Sequence, residues 1–536
     1  MMRGVMLLAM LASCNEPVRS GGGAARFPAV SEDHVLAAGE TAHYSVAMNH
    51  DESCALVVTQ QGVDVVVEAF APDGTKLATV DSPNGREGDE PLEILARQNG
   101  TYRIDVRALD PTSTGRYRIA ATARRDAAQT RAVLAERARA RAEATRWLQA
   151  RSGPFTLVDS TVEGIGLARF DALLERARVV GIGEATHGSH QFGDMRLALT
   201  MRAIEQHGVR VVGLEASASR MRLVDAWTRD GIGDLPTMIG KQWINRRAFT
   251  ALATHVRAWN TAHPKDPVTI VGLDDQDHAP AREIVARAVQ AFDADYAKRV
   301  ADVLARIEKS DAQAMVFGPS DVSAADWQFL VDLVSKLEAA NPRNPDAIAA
   351  ARSLAQASEF NTGAPDARSR DRLMAENLMA ALGDRRGLYW GHNAHVSHPP
   401  DKRGARMTAG SRLGELTEYA ALALSFREGG FLAQLPNDLQ DRLQTFEVPR
   451  ADDDSIDGVL APLGNAVVTW LGDTSTAPAW LTVPRPMHWI GALFSNQFVS
   501  NQWSRDSQLL RDYDGVVVFQ HVDAEPSTEI GINRAP

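Results

Sequence analysis

An acid and a base close the stretch Val179-Val180-Gly181-Ile182-Gly183-Glu184-Ala185-Thr186-His187-Gly188: Glu184 and, three positions on, His187. An apolar run that stops on such a pair reads as a buried strand delivering proton-transfer groups to its exit loop. Gly183 and Gly188 let that loop turn sharply or let a ligand approach closely. The pattern recurs. Val212-Gly213-Leu214 ends on Glu215, Ile270-Val271-Gly272-Leu273 on Asp274 and Asp275, and Gly387-Leu388-Tyr389-Trp390-Gly391 on His392 and His395. Residues 422–426 run into Arg427 and Glu428. One acid after a strand is usually a helix cap or a solvated loop end, but several in series with two histidine clusters point to a single site.

These residue types suit hydrolysis by water. Water attack on an ester needs a base for the proton, donors for the oxyanion and an acid for the leaving alcohol. This part of the chain has no Gly-x-Ser-x-Gly elbow, no His-Glu-x-x-His helix and no phosphate loop ending in Lys-Ser/Thr, so no activated side-chain nucleophile is evident. His187 is the expected base, oriented by Glu184 or Glu215. Arg196 is expected to polarise the carbonyl or hold the carboxylates, and His392 to protonate the alcohol or share the base role. Two other readings stay open: a divalent metal held by Glu184, His187, His392 and His395, or a crevice that binds a ligand without turnover.

The elements that must position these groups follow from the pattern. Ser189 reads as the N-cap of a helix over about residues 190–206, in which Phe192, Met195, Leu199 and Ala203 share one stripe with Arg196. A buried guanidinium needs a carboxylate, and Glu215 is the candidate partner. His207 before Gly208 suits the helix C-terminus, and His190 lies near the site. Strands at residues 179–182, 209–214, 270–273, 388–390, 420–426, 467–470 and 516–519 predict an α/β fold, a mainly parallel sheet of about seven strands with helices on both faces. In such a sheet ligands bind beyond the carboxyl ends of the strands. Residues 220–260 read as helix broken at Gly231, Gly233 and Pro236. Their Trp227, Trp243, Phe249 and Trp259 suit core packing better than a pocket wall. The helical insertion over residues 281–384, with stops near Asn341-Pro342 and Gly363-Ala364-Pro365, is expected to cap the crevice.

Gly183-Glu184-Ala185-Thr186-His187-Gly188, Arg196, Glu215, Arg370-Asp371-Arg372-Leu373-Met374-Ala375-Glu376-Asn377 and Trp390-Gly391-His392-Asn393-Ala394-His395-Val396 together resemble the erythromycin esterase family. The resemblance covers roughly residues 153–525. It implies a hydrolase of a small-molecule ester, with Glu184, His187, Arg196, Glu215 and His392 as the active-site set. His395, Asp274, Asn393 and Arg370 are the expected substrate-binding residues. It does not imply erythromycin as substrate, because the family is broad.

The remaining chain divides upstream of this region. Residues 27–123 show short alternating strands at 43–47, 55–60, 64–71, 76–80, 92–96, 102–108 and 117–123, a small all-β sandwich. It resembles the bacterial pre-peptidase C-terminal domain. Gly100-Thr101-Tyr102-Arg103-Ile104 recurs as Gly115-Arg116-Tyr117-Arg118-Ile119, which suggests two edge or neighbouring strands. Asp64 and Asp81 read as solvated turn acids rather than calcium ligands. Residues 124–152, rich in Arg, Ala and Glu, read as a solvated linking helix, and residues 526–536 as a tail.

Residues 1–13 combine a basic start with a short apolar run, an export signal. Leu11-Ala12-Ser13-Cys14 resembles the bacterial lipoprotein processing site, so Cys14 is the expected lipidated residue and residues 14–26 a flexible tether. The expected location is an exported protein lipid-anchored to the bacterial membrane, facing the periplasm or the cell surface. Cys54, the other cysteine, reads as a buried inert thiol. The 536 residues carry a net charge of −11, which argues against nucleic acid as a partner. No cofactor is required by these readings, with a divalent metal left open.

Overall fold

The alternating apolar and polar pattern of the first hundred residues becomes a two-layered β unit in the computed structural model. It describes residues 25–26 and 32–526, apart from 83, 240–245, 275–276, 314–321, 362–367, 400–406, 436–442, 471–473 and 496–502. The chain divides into two compact units, residues 1–140 with 496–502, and residues 141–495 with 503–536. The division falls inside the helix Ala127–Gln149. The signal segment, Cys14, Trp243, Asp275, the Gly363-Ala364-Pro365 stop and nearly all of the tail lie outside the described residues.

In the first unit one sheet orders Ala25–Arg26, Thr41–Met48, Gly100–Ala108, Val65–Phe70 and Lys76–Val80. The other orders Glu32–Leu36, Gly115–Arg125, Ser53–Gln61 and Glu87–Leu95. Their inward positions form one core that includes Leu36, Val58, Val67, Ile94, Ile104 and Ile119. The two similar Gly-x-Tyr-Arg-Ile strands are neither edge strands nor neighbours. Each is interior to a different sheet, so the shared sequence marks a common inward Tyr and Ile rather than pairing. Asp81 is 5% exposed, not a solvated turn acid. Cys54 is a buried free thiol.

The second unit is built on a nine-stranded sheet, with strands β1 (Ser152–Pro154), β2 (Val179–Ile182), β3 (Val209–Ser217), β4 (Thr269–Asp274), β5 (Arg386–Trp390), β6 (Tyr419–Gln434), β7 (Leu443–Val448), β8 (Ala466–Thr469) and β9 (Gly515–Val522). The order is β1-β8-β9-β6-β2-β5-β3-β4, with β7 paired to the far half of β6. Strands β9, β6, β2, β5, β3 and β4 are mutually parallel, while β8, β1 and β7 add antiparallel edges. Burial on both faces explains their unbroken apolar sequences; all four residues of β2 are buried. Strand β6 runs on to Gln434, so Arg427 and Glu428 lie within it and not at its end. Strands β1 and β7, absent from the seven-strand expectation, are short or lack a sustained apolar run.

The insertion is helical, as its periodicity predicts: Ala279–Ala288, Ala294–Gln313, Ala324–Ala339, Pro345–Asn361 and Arg370–Leu382. The first four share an apolar core of their own that includes Val285, Val303, Leu330, Leu333 and Leu354. The last returns to the sheet and carries Arg370 to the ends of β3 and β4.

Candidate active site

Four adjacent parallel strands, β2, β5, β3 and β4, end on the same edge of the sheet, and that edge gathers Glu184, His187, Glu215, Asp274, His392 and His395, with Arg196 and Arg370 brought to it by helices. The loop after β2 is shaped by two close approaches. A Cβ on Gly183 would sit 2.1 Å from Asn393 Oδ1, and one on Gly188 would sit 2.2 Å from the Leu432 carbonyl oxygen. The glycines therefore admit neighbouring chain, not a ligand and not a left-handed turn. Ser189 occupies the N-cap position of the helix His190–His207, but its hydroxyl makes no capping bond and reaches the Gly430 carbonyl instead.

Glu184 is 4% exposed and stands between Arg196 and His187. Arg196 Nη1 lies 2.6 Å from its Oε2, and His187 Nδ1 lies 2.8 Å from its Oε1. A carboxylate only accepts, so Nδ1 carries the hydrogen and the lone pair of neutral His187 sits on Nε2. Burial pushes the Glu184 carboxyl up, but Arg196, His187 and His392 together hold it below its ordinary value. Arg196 spends its remaining donors on backbone: Nη2 donates to the Gly391 carbonyl at 2.9 Å, and Nε to that of Ile182 at 3.4 Å. Its partner is thus Glu184 and not Glu215, because Glu215 is taken.

Glu215 sits in a bulge of β3, where the pairing with β4 slips between Leu214 and Ser217 and re-aims the side chain. Its Oε1 accepts from Arg370 Nη2 at 2.7 Å and its Oε2 from the His392 backbone N–H at 2.8 Å. Arg370 also grips Asp274 with Nε at 2.9 Å and Nη2 at 2.6 Å. Burial alone would lower the Arg370 pKa, yet Asp274 and Glu215 raise it well above its usual range. Burial likewise pushes Glu215 up, but His395 and Arg370 hold it well below the carboxylate range.

The two remaining histidines behave oppositely. His392 accepts the Ala394 N–H on Nδ1 at 3.2 Å, so Nε2 carries the hydrogen and faces the carbonyls of Ile490 at 3.2 Å and Ala185 at 3.4 Å. Burial, then the charge of His187, lowers its pKa to about 3. It is a neutral, fully engaged ring with no proton to give near neutral pH. His395 donates from Nδ1 to Asp371 Oδ1 at 2.7 Å; its Nε2 lies 3.0 Å from Arg370 Nη1, which can only donate to it, and 3.3 Å from Glu215 Oε1. Burial works against its charge, but Asp371 and Glu215 win and raise its pKa to about 8.

The sign of each shift gives a stability prediction. A depressed histidine contributes fully above its unfolded pKa of about 6.5 and loses that contribution as pH falls toward about 3, by up to about 1.4 kcal/mol per pH unit. A raised one contributes below about 6.5 and loses its share as pH rises through about 8. Melting temperatures measured from pH 4 to 9 should fall on both sides of neutrality, with a shallower acid limb in His392→Gln. An acid limb unchanged in that variant would remove His392 as its source.

Asn393 is not placed to bind substrate. Its side-chain amide donates to the Leu424 carbonyl at 2.8 Å and accepts the Leu424 N–H at 3.2 Å, lacing the turn after β5 to β6. Asp371 and Ile490 are the site residues that sequence reasoning missed. Asp371 stood inside the Arg370–Asn377 motif, whereas nothing local marks Ile490, whose N–H meets the Ala185 carbonyl at 2.7 Å. Metal ligation fits poorly. Both carboxylates face guanidinium groups and the His392 nitrogens are spent on backbone. Among the described residues no three acidic, histidine or cysteine side chains are placed to share an ion.

The Erythromycin esterase family model matches residues 204–522, more than half of the chain. That span includes Glu215, Asp274, Arg370, Asp371, His392 and His395. A Bacillus cereus protein is 18% identical with a TM-score of 0.57, over 74% of this chain and 99% of its own. A succinoglycan biosynthesis protein is 16% identical with a TM-score of 0.57, over 72% of this chain and 98% of its own. A mutant of the erythromycin esterase EreC in its open conformation is 15% identical with a TM-score of 0.51, over 68% of this chain and 95% of its own. At these identities the likeness is one of fold. No curated protein matches.

Proposed function

Because the chain belongs to the erythromycin esterase family of hydrolases, we propose that it cleaves a carboxylic ester or macrolactone by water attack, with His187 as the general base. The observation that carries this reading is the Arg196–Glu184–His187 relay. It fixes the His187 tautomer so that Nε2 takes a proton from water, and the Glu184 carboxylate stabilises the imidazolium that forms. Arg196 keeps that buried carboxylate ionised. The attacking oxygen bonds to the carbonyl carbon, the tetrahedral oxyanion collapses, and His187 returns its proton to the leaving alkoxide. His392 holds the loop and does not act as acid. Arg370, held cationic by Asp274 and Glu215, places positive charge at the same strand ends, where negative charge develops. A panel of aryl esters, alkyl esters and macrolactones tests the reading, with and without chelator. Hydrolysis that survives chelation supports it, and hydrolysis lost to chelator and restored by Zn²⁺ or Mn²⁺ assigns the chemistry to a metal.

The N-terminal sequence supports lipid anchoring at Cys14 and an exported location at the membrane. No helix among the described residues is long and apolar enough to cross a membrane. Cys14→Ser should abolish labelling by a radioactive fatty acid and move the protein from the membrane to the soluble fraction; wild-type protein recovered unlabelled would contradict anchoring.

A further inference from the structure

We propose that a second cavity, separate from the strand-end site, binds the phosphate group of a small organic molecule. The cavity lies wholly within the second unit and has a volume of about 530 Å³. Arg141 and Arg146 of the helix Ala127–Gln149, Arg427 of β6, and Arg450 line it, with Val459 and Pro462 among its apolar walls. Four arginines converge on one space in a protein whose net charge is −11. Only one carboxylate, Asp453, is among the lining residues.

The local carboxylates do not neutralise this set. Asp453 is engaged by Arg450 at 2.9 Å, and Asp454, just outside the lining, by Arg141 at 2.6 Å. Arg146 and Arg427 have no carboxylate and no side-chain hydrogen bond among the described residues. Arg427 is the more telling of the two. Its Nε is shut off from solvent and makes no hydrogen bond. The Nε atoms of Arg210, Arg412 and Arg485 are also unbonded, but Arg210 and Arg412 pair through their terminal nitrogens with Asp266 and Glu415, whereas the Arg427 side chain makes no bond among the described residues. A guanidinium donor held away from water without an acceptor is unfavourable, and an anionic oxygen corrects both the charge and the missing bond. The Ala451 N–H donates to the Arg427 carbonyl at 2.8 Å, which ties the loop carrying Arg450 and Asp453 to the strand carrying Arg427. Backbone thus holds Arg427 beside the loop of Arg450, and the Arg141–Asp454 pair ties the helix to the same loop.

The excess of guanidinium favours a dianion over a single carboxylate, and planar guanidinium forks match phosphate oxygens two at a time. The volume exceeds a bare phosphate and falls in the range of small-molecule pockets, and Val459 and Pro462 offer an apolar wall for an organic body. A phosphate monoester meets both conditions. The phosphate could belong to a soluble metabolite or to a lipid headgroup, and the experiment separates them.

Full-length protein is melted with phenyl phosphate, with inorganic phosphate, and with sodium chloride at matched ionic strength. Vesicles containing phosphatidic acid, whose headgroup is a phosphate monoester, and vesicles of phosphatidylcholine alone are tested for co-sedimentation. Phenyl phosphate at saturation should raise the melting temperature by roughly 2–4 °C over the salt control. Arg427→Gln should abolish the shift and Arg146→Gln, at the exposed rim, should weaken the affinity several-fold. Phosphatidic acid binding that depends on Arg427 supports the proposal with a lipid source; a phenyl phosphate shift without vesicle binding supports it with a soluble one. No shift with either phosphate and no Arg427-dependent vesicle binding overturns it. A shift in cooperatively folded Arg427→Gln equal to wild type also overturns it. Should Arg427→Gln fail to fold, Arg146→Gln decides: unchanged affinity overturns the proposal, and weakened affinity sustains it.

Discussion

His187→Asn should lower ester turnover by about 10²–10⁴-fold, roughly 3–5 kcal/mol in the barrier, the usual cost of losing a general base. Asparagine is the informative replacement because its amide N–H can still meet Glu184, keeping the loop in place. What disappears is the Nε2 lone pair, the only atom of the relay free to take a proton from water. Substrate affinity and melting temperature should therefore stay close to wild type while kcat falls. A rise in KM with kcat intact would assign His187 to binding.

The second large effect belongs to Arg196. Removing its guanidinium leaves Glu184 as a carboxylate 4% exposed with its strongest partner gone. Breaking one side of a buried pair costs about 3–5 kcal/mol, and the carbonyls of Gly391 and Ile182 lose their donors as well. Arg196→Ala should thus lower both the stability measured by chemical denaturation and the turnover. Arg196→Lys should recover part of the stability, because the ammonium can face Glu184 but cannot also span both carbonyls. Wild-type stability in Arg196→Ala would show that Glu184 is stabilised by other means.

Much of this arrangement was legible in the chain. Strands buried on both faces write themselves as apolar runs, so the six parallel strands were readable, and so were the acids and histidines at the ends of four of them, although Arg427 and Glu428 proved to lie within β6. The stripe through Phe192, Met195 and Leu199 correctly placed Arg196 inward. Its partner was not readable, because Glu184 and Glu215 are equally suited until the bulge in β3 turns Glu215 toward Arg370. The role of His392 was likewise hidden: burial keeps the ring neutral, and its tautomer is set by the carbonyls of Ile490 and Ala185, contacts that span 98 and 207 positions. Asn393 looked available for substrate for the same reason, since nothing in its neighbours shows that Leu424 occupies both ends of its amide. Local sequence fixes which groups reach the strand ends; distant backbone decides which of them stay free to react.

The most direct test of the relay is chemical rescue of His187→Ala on the best ester from the substrate panel. The hydrolysis rate is followed with and without added imidazole. The account predicts a loss of about 10²–10⁴-fold that imidazole partly restores in a concentration-dependent way, with no such effect on wild type. Wild-type turnover by His187→Ala in the absence of imidazole would contradict it.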